Sequence, residues 1–263
     1  MTISIEGFSR ETQLAIVAAT RAAELLRAGA GRDRVTSKGI RDVVTETDVT
    51  VEAEIRAVAE RAGISIVGEE GGGIAPERET YWLVDPLCGT SNYVAGLPLY
   101  CANIAVVRSD EVVAGVVADA SGLFLVAERG LGTLALHGGS LRPARTASTP
   151  AVIVEPGRAT GERRVLAAAF TSSVIRSDRW DVMALNSTLS LAYVADGRAS
   201  AYVLFASAAL HVAAGAALAV EAGGVVTDLD GVPWSLRSDA LVTAANPQIH
   251  AELMSFLSTS AER

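Results

Sequence analysis

The chain is short of the residues that would suit it to secretion, to a membrane or to nucleic acid. It has two cysteines, Cys88 and Cys101, too few for the disulfide framework on which small secreted domains rely. Free thiols in a reducing compartment are therefore expected. Dense blocks of Lys and Arg are missing and the net charge is −8, which repels a phosphate backbone and excludes nucleic acid as a partner. Polar residues interrupt every apolar run before it reaches the roughly 18 to 20 residues that span a bilayer. The first residues lack the basic start and apolar core of an export signal. Together these absences predict a cytoplasmic protein with no membrane partner. Half of the 263 residues are hydrophobic and 20% are charged, so extended disorder is excluded and a substantial core is available.

Helical apolar spacing runs over residues 11–28 and 48–61. In the second helix Glu52 and Glu54 are read as facing away from Val51, Ile55 and Val58. Short β-type runs follow at 64–67 and 81–84, then at 100–107 and 112–118 around the turn-prone Ser109, Asp110 and Glu111, which reads as a hairpin. A run at 123–127 continues the meander before a Gly-rich stretch at 130–139. From Pro150 the reading is strand 152–154, helix 162–170, a strand near Val174, helix 181–195, strand 201–205 and helix 211–222. Strands near Val225 and at 241–244 and a helix after Pro247 close the chain. Layers of helix and sheet follow. The expected division is residues 1–149, a helix pair plus an antiparallel sheet, and residues 150–263, an α/β lobe.

Several ordered motifs carry a resemblance. They are Lys38 with the run from Asp42 to Asp48, Gly68 to Glu70 after a strand, Trp82 to Asn92 with Asp85, Cys88 and Thr90, Asn186 to Gly197, and Gly215 with Glu221 to Gly224. In these the chain resembles the inositol monophosphatase family over about residues 10–245. The resemblance implies an α/β (α+β) fold, a layered αβαβα sandwich with two sheets and helices between and outside, with the site between the two lobes. It also implies carboxylates that bind magnesium and activate water on a phosphomonoester. By position Glu69 and Asp85 match the holders of a first metal, and Asp48 and Thr90 the pair that orients the attacking water. A homodimer is implied as well.

At two further positions the family's metal-binding aspartates are replaced, by Cys88 and by His211. A thiol and an imidazole make a poor magnesium site, because that cation prefers oxygen donors. The family's sugar-contacting acidic residue maps onto Leu204, and an aromatic neighbour of the second lost aspartate onto Leu210, an apolar pair that reads either as pocket lining or as core. Ligands of one ion lie close together, so Cys88 and His211 are expected within reach as nucleophile and base. A short helix after Cys88, at 90–95, is expected to lower the thiol pKa and cradle an oxyanion. For the carboxylate that orients His211 the preferred reading is Asp119, returned to the Cys88 edge by the hairpin; Asp85 competes.

A Cys/His pair on this scaffold resembles a narrower group, the Dieckmann cyclases that close tetramate or pyridone rings. That resemblance implies a β-ketoacyl-aminoacyl thioester delivered on the phosphopantetheine of an acyl or peptidyl carrier protein, transfer to Cys88, and ring closure with no metal or other cofactor required. The alternatives are a phosphomonoesterase with an altered second metal site, using magnesium or a softer ion such as zinc, and an inactive scaffold. Cys101 reads as core, and His137 and His250 as surface residues. The run Gly71 to Gly73 reads as a flexible loop rather than a phosphate cradle.

Overall fold

The computed structural model describes residues 6–31, 34–39, 42–76, 79–137 and 139–261; the side chains of Lys38, Asp42 and Ala261 lie outside this set. The chain opens with helix α1 (Arg10–Gly29), capped by the Ser9 hydroxyl on the Thr12 amide, and a hairpin of β1 (Val35–Gly39) and β2 (Asp42–Thr45). Helix α2 (Glu46–Arg61) follows directly, because Thr45 and Asp48 cap each other's backbone amides and so satisfy two donors that a helix start leaves open. Next come β3 (Ser65–Gly68), β4 (Thr80–Cys88), the single turn α3 (Thr90–Val94), β5 (Cys101–Arg108), β6 (Glu111–Asp119), β7 (Phe124–Glu128), β8 (Gly132–His137) and β9 (Ser140–Ala144). The remainder is β10 (Ala151–Glu155), α4 (Gly161–Arg176), β11 (Asp181–Met183), α5 (Leu189–Ala195), β12 (Ala201–Leu204), α6 (Ala209–Glu221), β13 (Val225–Thr227), β14 (Leu241–Ala244) and α7 (Pro247–Ala261).

Strands β3 to β9 lie side by side in chain order as a seven-stranded sheet, and β11-β10-β12-β14-β13 form a five-stranded one. Within the large sheet only β3 and β4 run parallel; every later neighbour is antiparallel. Strands β4 to β7 are buried almost throughout, so both faces of the sheet must be covered. One face packs Trp82, Val84, Ile104 and Val116 against Ala15, Ala19 and Leu26 of α1 and Val51 and Ile55 of α2. The other packs Leu83, Ala105, Val117 and Leu125 against Leu189 of α5 and Ala213, Ala214 and Leu218 of α6. The small sheet meets the same two middle helices through Ile153, Tyr202, Leu204, Leu191 and Val212. Its far face carries Phe170 and Val174 of α4 and Leu253 of α7. The result is five layers, αβαβα.

Three readings of the sequence change. The Gly-rich stretch holds β8, with β9 starting just after it, residue 174 lies inside α4, and the segment read as a helix over 181–195 is a strand, a connection and a short helix. Asn186 explains the last, since its φ of 52° is left-handed and interrupts any helix through it.

Gly115 of β6 decides how closely α6 approaches the sheet. A Cβ there would stand 2.2 Å from the Ala214 carbonyl oxygen, so only glycine permits the contact. Gly115→Ala is expected to push α6 off β6 and cost about 1–3 kcal/mol, as overpacking does. A denaturant titration of the variant checks this, and an unchanged midpoint would show that the helix shifts freely.

Candidate active site

The site forms where the ends of β3 and β4 meet the start of α6. Asp85 of β4 is fully buried, and its Oδ2 lies 2.7 Å from Nδ1 of His211. Its second oxygen, Oδ1, is buried without a hydrogen-bond partner among the described residues. Glu69, just past β3, brings its Oε2 to 4.0 Å from the same His211 nitrogen. One donor atom from each of Glu69, Asp85 and His211 lies within 4.8 Å of the others, the spacing of ligands around one cation.

The three groups hold each other's protons. Burial pulls the His211 imidazole down, but the charge and hydrogen bond of Asp85, with Cys88 and Glu69 behind it, outweigh burial and raise it to about 9. Burial and the Asp85 charge push Glu69 up to about 8, against the pull of His211. With no metal bound at neutral pH, a protonated imidazole donates to Asp85 and balances its charge, while Glu69 is held in its neutral acid form.

The path of β4 explains how position 88 joins this group. Asp85 pairs with Asn103 and Cys88 with Cys101, so three steps along β4 match two along β5. This is a β-bulge, and it holds Pro86, which has no amide to give to a ladder. The bulge turns Leu87 onto the α1/α2 face and keeps Cys88 on the α6 face with Asp85. Gly89 follows with φ of 96°, and a Cβ there would meet the Leu99 carbonyl oxygen at 2.6 Å. The chain thereby turns sharply into α3 and carries Thr90 back beside Asp48: the Thr90 hydroxyl is 3.0 Å from the Leu87 carbonyl oxygen and 3.4 Å from Asp48 Oδ1. Asp48 also accepts from the Thr45 amide at 2.8 Å and hydroxyl at 2.6 Å. Burial outweighs those bonds and raises its carboxyl to about 6.

Cys88 is engaged elsewhere. Its sulfur lies 2.8 Å from the Thr188 hydroxyl and accepts from the Thr188 amide at 3.3 Å, and no hydrogen bond among the described residues joins it to His211. The Cys101 thiol opposite it, burial and the Asp85 charge push the Cys88 thiol well above its ordinary value. The short helix after it does not lower the thiol pKa; burial and neighbouring acidic groups prevail. Asn103 ties the region together, donating to the Thr188 hydroxyl at 3.0 Å and to the His211 carbonyl oxygen at 3.4 Å.

Asp119 does not orient His211. Its carboxylate is consumed in the turn after β6, where it accepts from the amides of Ser121, Gly122 and Leu123, each at 2.8 Å, and from the Ser121 hydroxyl at 2.7 Å. The orienting carboxylate is Asp85. Leu204 is packed among Ile153, Leu191 and Tyr202 and is 3% exposed, which fits core rather than pocket lining; Leu210, half-buried at the start of α6, packs against the inner core. Thr188 and Asn103 went unread because a lone hydroxyl or amide in an apolar run carries no signature of its partner.

The sequence matches the inositol monophosphatase family over residues 9–262. Inositol-1-monophosphatase ImpA of Mycolicibacterium smegmatis is 32% identical over 251 residues, covering 89% of this chain and 87% of the relative. Fructose-1,6-bisphosphatase/inositol-1-monophosphatase of Thermotoga maritima is 32% identical over 236 residues and 88% of each chain. Among solved structures, an IMPase of Thermotoga maritima has a TM-score of 0.82 at 27% identity, over 97% of this chain and 99% of that one.

These matches overturn the ring-closing reading. The relatives are named as phosphatases, and the thiol that a Dieckmann cyclase would use as nucleophile is buried, held protonated and bonded to Thr188. A metal-independent, thiol-dependent C–C bond-forming enzyme is withdrawn, and with it the reason to expect a carrier-protein thioester as partner. The expectation that no cofactor is required falls too, since Glu69, Asp85 and His211 form a group that can hold a metal.

Proposed function

The chain belongs to the inositol monophosphatase family, and from that premise we propose that it is a metal-dependent phosphomonoesterase whose cation site is Glu69, Asp85 and His211. The observation that carries this reading is that one donor atom from each of the three lies within 4.8 Å of the others, while Asp85, which meets His211 through Oδ2, buries its Oδ1 with no hydrogen-bond partner among the described residues. An orphaned carboxylate oxygen is costly unless something completes it, and a divalent cation does. Two carboxylates and an imidazole suit manganese or zinc better than an all-oxygen set would, while leaving magnesium accessible through the carboxylates.

When bound, such a cation polarises a phosphate oxygen and makes a coordinated water more acidic. The chain supplies the rest. Thr90 and Asp48 stand as an acceptor pair for the attacking water, and an Asp48 carboxyl near 6 is a base matched to neutral pH. His211 stands at a position that the resemblance gives to a ligand of a second cation, and as a neutral imidazole it would offer a ring nitrogen beside Glu69 and Asp85. The reduced thiols suit a reducing compartment, in which we place the enzyme.

Chelation separates this reading from thiol chemistry. EDTA is expected to reduce hydrolysis of p-nitrophenyl phosphate to background, with recovery on adding Mn²⁺ or Mg²⁺. Cys88→Ala is expected to retain turnover within about tenfold, a change of about 1.4 kcal/mol in the barrier. Activity that survives EDTA and vanishes in Cys88→Ala would sink the proposal.

A further inference from the structure

Glu52 was read from the sequence as a solvent-facing residue of α2, yet it is 3% exposed. Its carboxylate faces the loop that follows β3. Oε2 accepts from the Glu70 amide at 2.7 Å, and Oε1 accepts from the Gly71 amide at 2.7 Å and from the Arg56 guanidinium at 2.8 Å. The same guanidinium nitrogen donates to the Gly72 carbonyl oxygen at 3.1 Å. The loop is pressed onto this pair: a Cβ on Gly68 or Gly71 would stand 2.4 or 2.6 Å from Glu52 Oε1, and one on Gly73 would stand 2.2 Å from the Ile66 carbonyl oxygen. The glycine run is thus a closely packed turn.

Glu69 stands between Gly68 and the two amides that Glu52 grips. We propose that Glu52 and Arg56 are positioning residues for Glu69, and that through it they set the affinity of the cation site; this inference rests on the metal reading above. Neither side chain touches the metal position. Their action is to fix the backbone on both sides of Glu69, so that its carboxylate is delivered toward Asp85 without having to be ordered on binding. Residues that hold a ligand in place typically govern metal affinity by about 10- to 100-fold.

The substitution Glu52→Gln keeps the shape but turns one acceptor oxygen into a donor, which then faces a backbone amide or the guanidinium. Calorimetric titration of the full-length apoprotein with Mn²⁺ alone is expected to show a Kd raised about 10- to 100-fold in this variant. Hydrogen exchange at Glu70 and Gly71 should accelerate. A merely structural role is separated by a double-mutant cycle: in a Glu69→Ala background, adding Glu52→Gln is expected to leave the residual Kd unchanged. Should Glu52→Gln fail to fold, Arg56→Gln decides, because it spares the Glu52 grip and removes only the Gly72 contact and the pairing charge; a severalfold weaker Kd is expected. A folded variant with parental Mn²⁺ affinity overturns the positioning role alone. A parent protein that does not bind Mn²⁺ overturns both this inference and the metal reading.

Discussion

Asp85→Asn is expected to abolish phosphatase activity, by roughly 1,000-fold or more, and to remove Mn²⁺ binding measurable by calorimetry. Asp85 is the group on which the site converges: fully buried, with one oxygen on His211 and the other without a partner among the described residues. An asparagine of the same volume keeps the packing but loses the charge that a cation requires. It also presents an amide donor or a weak acceptor to an imidazole that the Asp85 charge has held up near 9. A metal contributes several kcal/mol of charge stabilisation to phosphoryl transfer, and about 4 kcal/mol corresponds to that 1,000-fold loss. Steady-state hydrolysis of p-nitrophenyl phosphate with saturating Mn²⁺ is the measurement. A variant that keeps a tenth of parental turnover would remove Asp85 from the chemistry.

Cation affinity is expected to rise steeply with pH. A metal needs Glu69 ionised and His211 neutral, whereas the folded apoprotein holds protons on them up to about 8 and about 9. Binding therefore releases protons, and between pH 7 and pH 9 the apparent affinity should increase roughly 500-fold. The stability of the apoprotein moves the other way. Both folded values lie above their unfolded ones, so the native state binds more protons and ∂ΔG/∂pH is negative across the window from about 4.5 to about 9. The His211 contribution is complete below its unfolded value and is lost as pH rises through about 9; the penalty from Glu69 grows as pH rises from its unfolded value to about 8. Thermal melts of the apoprotein should accordingly fall with pH, and Mn²⁺ at pH 9 should restore the transition. Glu69→Gln and His211→Gln should each flatten part of the slope. An apoprotein melting temperature that rises with pH through this range would show that the carboxylates are not sharing a proton with the imidazole.

Apolar runs and helical spacing made layers of helix and sheet legible, while the five-layer order was read only from the resemblance; the outer helix α4, with Val165 and Ile175 exposed, carries no clear stripe of its own. Errors came where local propensity and tertiary context part company. A strand was read near Val174, but Val174 is packed in α4 beneath the small sheet, which overrides its β preference. Of the site, Asp85, Glu69, His211, Asp48 and Thr90 could be picked out by motif, and the structure gathers them into two adjoining groups. Asp119 was misread, although the signal was present: Asp119 followed by Ser121 and Gly122 is the composition of a turn closed by its own aspartate. Glu52 was invisible for a different reason. A helical wheel gives the face of a residue but not what lies over that face, and here a loop some 18 residues away in sequence folds across it.

The bulge in β4 has a consequence for how such a centre changes over time. Whatever side chain stands at position 88 is turned toward α6 by the backbone and not by its own chemistry, because the extra residue at Pro86 sets the facing. A thiol, a hydroxyl or a carboxylate would be presented to the same place without rebuilding the strand. The side chain at this position can therefore be exchanged without changing the course of the strand.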